Sequence, residues 1–182
     1  MSLVQCVLTK KFIITAADMR AVKPNGDTIE YFNKLIKLNN QIIFGCTGNA
    51  IDNYNLFSEF CNYSDEHGLI KLNNEISLSY NEFVVLIKEK FKKMQKIHND
   101  IANEIKYEIM SIVCGYNGSE FESTLFSLTS IPGEDNGVII GKCSNNMPYR
   151  CISAGEYSHL NEFEKVAKRY YYKMNYDFST IR

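Results

Sequence analysis

Histidines, cysteines and clustered carboxylates are the side chains best suited to metal, redox or acid–base chemistry, and here they are few and scattered. The three histidines, His67, His98 and His159, stand far apart with no partners at metal-ligand spacing. Asp65-Glu66-His67 gathers three candidate ligands in sequence. A metal site needs ligands that converge in space, so this run reads as a solvated loop. The six cysteines are Cys6, Cys46, Cys61, Cys114, Cys143 and Cys151, and none forms a C-x-x-C pair. Most lie in apolar strand-like runs such as Ile112-Val113-Cys114, which suits small buried thiols in a reducing compartment better than a disulfide framework. Gly115-Tyr116-Asn117-Gly118 is no phosphate loop, because no Gly-Lys-Ser/Thr follows. Tyr170-Tyr171-Tyr172 reads as a packed helix edge rather than a stacking platform for bases. None of these patterns implies a metal or an organic cofactor.

The bulk properties narrow the function classes further. The chain has 182 residues, enough for one sizeable core and too few for two comfortable domains, so a single domain over 1–182 is expected. Twenty basic residues against twenty-one acidic ones leave a net charge of −1. That balance supplies no overall field to attract nucleic acid or an anionic membrane. No apolar run approaches the ~20 residues needed to cross a bilayer, and no secretory apolar region stands at the start. A cytoplasmic protein is the expectation.

Strand patterns dominate both ends of the sequence. Residues 3–9 and 12–17 are β-rich runs joined by Lys10-Lys11, a hairpin by its short gap although Lys-Lys is poor turn chemistry. Pro24-Asn25-Gly26-Asp27 signals a loop. Lys34 to Leu38 and Gln41 to Cys46 flank a turn at Asn39-Asn40. Their nearly continuous apolar character fits strands covered on both faces. Gly45 to Asn49 then opens a helix, with Asn49 as cap and Ile51, Tyr54, Phe57, Phe60 and Cys61 at helical spacing.

The strongest helical signal follows. Ser79 and Glu82 form a capping box ahead of an apolar stripe of Phe83, Ile87, Phe91, Met94, Ile97, Ile101 and Ile105. Its opposite face carries Lys88, Glu89, Lys92, Lys93, Lys96 and Asp100 and reads as solvated. Strands return at Glu108 to Tyr116 and Phe121 to Ser130, around Asn117-Gly118, and at Gly137 to Cys143 and Tyr149 to Ala154. A last helix runs from about Ser158 to Met174. Runs of strands alternating with runs of helices favour mixed layers over a parallel βαβ fold.

Several of these segments resemble the signatures of one family, in the family's order. Ile13-Ile14-Thr15-Ala16-Ala17-Asp18-Met19-Arg20 is similar to the "ΦΦxAADxR" signature of proteasome β subunits and the bacterial proteasome-like peptidase. Lys34-Leu35-Ile36-Lys37-Leu38 resembles the family's "KΦxxΦ" strand. The segment from Ile42 to Asp52 resembles "ΦΦxGxxGxxAD", with Ile51 in place of the usual Ala. Ser111 to Tyr116 resembles "ΦΦΦxGYD", and Cys151 to Gly155 a degraded "ΦGSG". The resemblance covers roughly residues 3–155 and implies an N-terminal-nucleophile hydrolase fold, an α+β four-layer αββα sandwich of antiparallel sheets. It also implies ring oligomers, and hence self-association, a peptide substrate and often an ATPase partner.

In such enzymes the hydroxyl of an N-terminal Thr or Ser attacks, and the α-amine of the same residue is the base. That amine titrates near neutrality at about 7.7–8.0. A neighbouring Lys favours its neutral form, and an Asp holds the Lys. The resemblance places Asp18 and Lys34 in those two roles, Gly48 where a backbone N–H faces the oxyanion, and Ser2 at the nucleophile position. Catalysis would then require removal of Met1. The chain departs from the pattern at Ala154, where the family has Ser, and offers only Asp177, Phe178 and Ser179 for its late Asp and Ser. As purely structural features, Asp18 and Lys34 would be an inter-strand ion pair and Gly48 a tight turn. Three functions stay open: a peptidase subunit, a catalytically silent structural subunit, and a small-amide hydrolase, the last disfavoured because no Cys stands at the start.

Overall fold

The computed structural model describes residues 3–22, 25–48, 61–63, 70–72, 76–101, 108–129, 137–155 and 160–179. The protein is a mixed α/β fold in which every described strand pairing is antiparallel. A three-stranded sheet has the order β12-β1-β2, from Tyr149–Gly155, Leu3–Thr9 and Ile13–Ala17. A five-stranded sheet has the order β11-β10-β9-β6-β5, from Gly137–Lys142, Phe121–Thr129, Glu108–Tyr116, Ile42–Gly48 and Leu35–Lys37. Two short hairpins complete the described strands: β3 (Ala21–Val22) with β4 (Thr28–Ile29), and β7 (Cys61–Tyr63) with β8 (Ile70–Leu72).

The turns show how the local sequence does its work. Thr9 rescues the unpromising Lys10-Lys11 turn, its hydroxyl oxygen accepting the Lys11 and Phe12 amides at 3.2 and 3.0 Å. Asn117 organises the β9–β10 turn, its side-chain oxygen accepting the Ser119 and Glu120 amides at 3.0 Å each. Gly118 there sits at φ +100°, a conformation that glycine adopts without strain. Helix α1 (Tyr80–Ile101) starts at the capping box, where the Ser79 amide donates to Glu82 Oε2 at 2.8 Å.

Two apolar cores share the five-stranded sheet. On one face Phe83, Ile87 and Phe91 of α1 pack with Phe44, Val113 and Phe126, and the Phe44 and Phe83 rings meet edge to face at 5.4 Å. On the other face Met110, Ile112, Cys114 and Leu125 meet Val4, Cys6, Leu8, Ile152 and Ala154 of the three-stranded sheet. Helix α2 (Leu160–Ser179) contacts β12, burying Ala167.

Several expectations need correction. Among the described residues eight strands precede α1 rather than four, because two-residue and three-residue strands are too short to show an alternating pattern. Cys61 begins β7 instead of ending a helical stripe. Residues 49–60, which carry the rest of that stripe, lie outside the described residues, as do Asp65, Glu66 and His67. Strand β6 continues past Cys46 to Gly48. Ile97 is on the predicted apolar stripe of α1 yet is mostly exposed, since the core ends near Met94. Helix α2 runs past Met174, so Asp177, Phe178 and Ser179 belong to the helix and not to a segment beyond it.

Candidate active site

The site is built where strands from both sheets end together. Asp18 follows β2 directly, and its backbone amide donates to the Leu3 carbonyl at 3.1 Å, closing the β1–β2 ladder. The return bond is made by the side chain. The Leu3 amide donates to Asp18 Oδ1 at 2.5 Å, so a carboxylate stands where a backbone carbonyl would otherwise accept. The other carboxylate oxygen, Oδ2, accepts from Lys34 Nζ at 2.6 Å and from the Arg20 amide at 3.3 Å.

Lys34 belongs to the other sheet, immediately ahead of β5, so the ion pair bridges the two sheets. Its side chain is 3% exposed, against 34% for that of Asp18. An ammonium so enclosed needs a fixed counter-charge, and Asp18 supplies it. Lys34 is itself held by its carbonyl, which accepts the Cys46 amide at 3.0 Å. Gly45 makes the approach of the sheets possible: a Cβ there would come within 2.8 Å of both Val4 and Leu35 side chains.

Gly48 ends β6 two residues beyond the Cys46–Lys34 bond, on the order of 7 Å further along the strand at ordinary rise. It sits at φ +97°, and a Cβ on it would collide with the Glu108 carbonyl oxygen. Only glycine fits there, for both reasons. Gly155, at φ +93° opposite Leu3 in the β1–β12 ladder, ends its strand beside the same corner. Beneath β6, the Cys46 thiol and the Ser111 hydroxyl lie 3.0 Å apart. Burial drives the Cys46 pKa far above the ordinary thiol range, keeping it a neutral packing group.

The structure thus brings Asp18, Lys34 and the start of β1 into direct contact, with Gly48 at the end of a neighbouring strand. Ser2 lies outside the described residues. Ala154 is fully buried in the inter-sheet core, and Ser153, one residue earlier, is buried with a hydroxyl that finds no hydrogen-bond partner among the described residues. The sequence reading missed the Leu3 amide, because a backbone donor leaves no mark in residue types. Gly155 it named only as the last residue of the degraded "ΦGSG" segment, without a place at this corner. Among the described residues no three His, Cys, Asp or Glu side chains converge on a point that could hold a metal ion. Nor, among them, is any helix long and apolar enough to cross a membrane.

This arrangement of sheets and strand ends defines a proteasome-like fold. The chain superimposes on Anbu (ancestral beta-subunit) from Yersinia bercovieri with a TM-score of 0.54 at 16% identity, over 87% of this chain and 62% of that one. It superimposes almost as well on a chain from the helical assembly of the Anbu complex from Pseudomonas aeruginosa, with a TM-score of 0.53 at 16% identity, over 85% of this chain and 62% of that one. The chain therefore spans less than two thirds of the length of either neighbour. No protein-family model matches it, and no curated protein sequence does.

Proposed function

We propose that this chain is a subunit of a self-assembling, proteasome-like N-terminal-nucleophile peptidase, built as one four-layer αββα unit with α1 and α2 as its outer layers. The observation that carries this reading is the carboxylate of Asp18, which holds both the Leu3 amide and a buried Lys34. Ser2 is bonded to the nitrogen of that amide, so a mature chain starting at Ser2 would carry its α-amine next to a fixed cation. In the proposed reaction the Ser2 hydroxyl loses its proton to its own amine as its oxygen attacks the scissile carbonyl. The Gly48 N–H is assigned to the developing oxyanion. The amine then returns the proton to the leaving nitrogen, and water resolves the acyl-enzyme. Assembly is supported by the helical assembly formed by one fold neighbour and by exposed apolar residues on both helices, Val85 and Ile97 on α1 and Val166 and Tyr170 on α2.

A second reading has its own observation. Ala154 puts a buried methyl where the resembling enzymes keep a serine hydroxyl, which suits a catalytically silent subunit of the same assembly. One experiment separates the two. The N-terminus of protein from its natural host is determined by mass spectrometry, and the processed chain is assayed on small fluorogenic peptides. A chain beginning at Ser2, whose turnover vanishes in S2A, supports the peptidase. A retained Met1, or equal turnover in S2A and wild type, defeats it and leaves the silent subunit.

A further inference from the structure

Away from this site, the five-stranded sheet ends at β11 with an edge that no described strand covers. Natural edges are usually blunted by charge, proline or a bulge. Gly137-Val138-Ile139-Ile140-Gly141 has no charge and no proline, and Val138, Ile139 and Ile140 are all about half exposed. The ladder fixes which way they point. Val138 pairs with Phe126 of the α1-side core, and Ile140 with Thr124, which bonds Tyr80 of α1. Ile139 pairs with Leu125 of the inter-sheet core. Val138 and Ile140 therefore emerge toward α1, and Ile139 on the opposite face.

Beside this edge lies a cavity of about 190 Å³ between α1 and the β10–β11 pair. Its apolar lining includes Phe91, Phe126, Leu128 and Val138, and among the described residues its charged lining is Lys88 and Lys92, with no acidic side chain. Neither lysine forms an ion pair among the described residues. At the far end of β11, by contrast, Lys142 is already neutralised by Glu120 and Glu122, at 3.1 and 2.8 Å. Among the described residues, an open row of backbone donors and acceptors, an apolar pocket one strand-width away and these two cations occupy one groove. That combination matches a ligand that is extended, apolar at alternate positions and anionic.

We propose that the β11 edge and the α1 cavity form a docking groove for an extended acidic peptide segment of another protein. The segment adds as a strand to β11, seats an apolar side chain on Phe91 and Phe126, and places a carboxylate between Lys88 and Lys92. This assignment stands apart from the peptidase reading and is independent of any chemistry at Asp18 and Lys34.

The test uses a fluorescein-labelled octapeptide, Thr-Thr-Leu-Thr-Phe-Thr-Glu-Glu, and a control ending in Lys-Lys, titrated by fluorescence anisotropy against the full chain. Saturable binding of the acidic peptide is expected, weakened about tenfold or more in the double variant K88E/K92E, which should then prefer the lysine-ended control. I140E should weaken binding by a similar factor, and I139E, on the other face, by no more than about threefold. Circular dichroism melts establish that each variant folds, and the surface change K88E/K92E keeps the test decisive if an edge-strand variant does not. Binding indifferent to K88E/K92E, or no saturable binding at about millimolar peptide, overturns the proposal. So does sedimentation showing that the edge is occupied by a second copy, with a dimer that I140E dissociates.

Discussion

Replacing Asp18 with asparagine leaves the Lys34 ammonium in a nearly closed pocket with its counter-charge gone. At a separation of about 3 Å and an effective dielectric constant of about 20, the pair attracts by roughly 5 kcal/mol, before the cost of desolvating both ions is subtracted. Removing one member of a fully buried pair typically costs about 3–5 kcal/mol. Lys34 is almost fully enclosed, but a third of the Asp18 side chain meets solvent, so water can partly replace the carboxylate and the expected loss falls to about 2–3 kcal/mol. In D18N the new amide would still accept the Leu3 N–H through its carbonyl oxygen, which isolates the charge from the ladder closure. For a domain of this size the midpoint of thermal unfolding should fall by about 4–12 °C.

The control is the double variant D18N/K34M, in which the cation leaves with its partner. Its stability should return to within about 1 kcal/mol of wild type, giving a coupling energy of about 1–3 kcal/mol. Urea denaturation followed by far-UV circular dichroism measures all four corners of the cycle. A D18N chain within about 0.5 kcal/mol of wild type, or a double variant no better than D18N, would refute the claim that Lys34 is a buried charge dependent on Asp18. Recovery in the double variant would mean that the fold does not need this pair, which shifts the reason for keeping it toward chemistry.

Three further outcomes follow from the same geometry. Gly48→Ala should lose at least about 2 kcal/mol in urea unfolding, from the positive φ and the collision with the Glu108 carbonyl together; an unchanged midpoint would contradict that backbone. Iodoacetamide near pH 8, read by peptide mass mapping, should leave Cys46 and Cys114 unlabelled in the native protein, since burial raises both thiols. Cys151, pushed up to about 12 mainly by burial, should label slowly, and rapid labelling of any of the three would refute their burial. Finally, the Ser79 hydroxyl and amide hold Glu82 below its ordinary carboxyl value. The sign is that of a depressed acid: its contribution is present above the ordinary value and is lost as pH falls through the lowered one. Glu82→Gln should therefore lower the melting midpoint at neutral pH and match wild type in acid, and a difference that persists in acid would count against the capping box.

What can be read from residues alone follows the range of the interaction. The β1–β2 and β9–β10 hairpins and the start of α1 are set by contacts a few residues apart, through Asn117, Gly118, Ser79 and Glu82, and these are legible. The β3–β4 and β7–β8 hairpins are not, because strands of two or three residues carry no period. The end of α2 is equally unmarked, because nothing in Met174 to Ser179 supplies a Gly or Pro stop. At the site, Asp18 and Lys34 are sixteen residues apart and held by different sheets. Spacing alone cannot join them, and they stand out only through the resemblance of their segments to one family. The anchoring amide of Leu3 and the close approach at Gly45 depend on backbone geometry, which residue types do not encode.

The position of β1 has one more implication. It is the middle strand of its sheet, paired on both sides along its length, and its first amide is tied down by Asp18. The described bonds that secure it begin at residue 3. A strand that would fray at a sheet margin is moored here from residue 3 onward. Trimming ahead of that point would remove none of these moorings, so a cut there could change the chemistry of the new end while the architecture behind it stays standing.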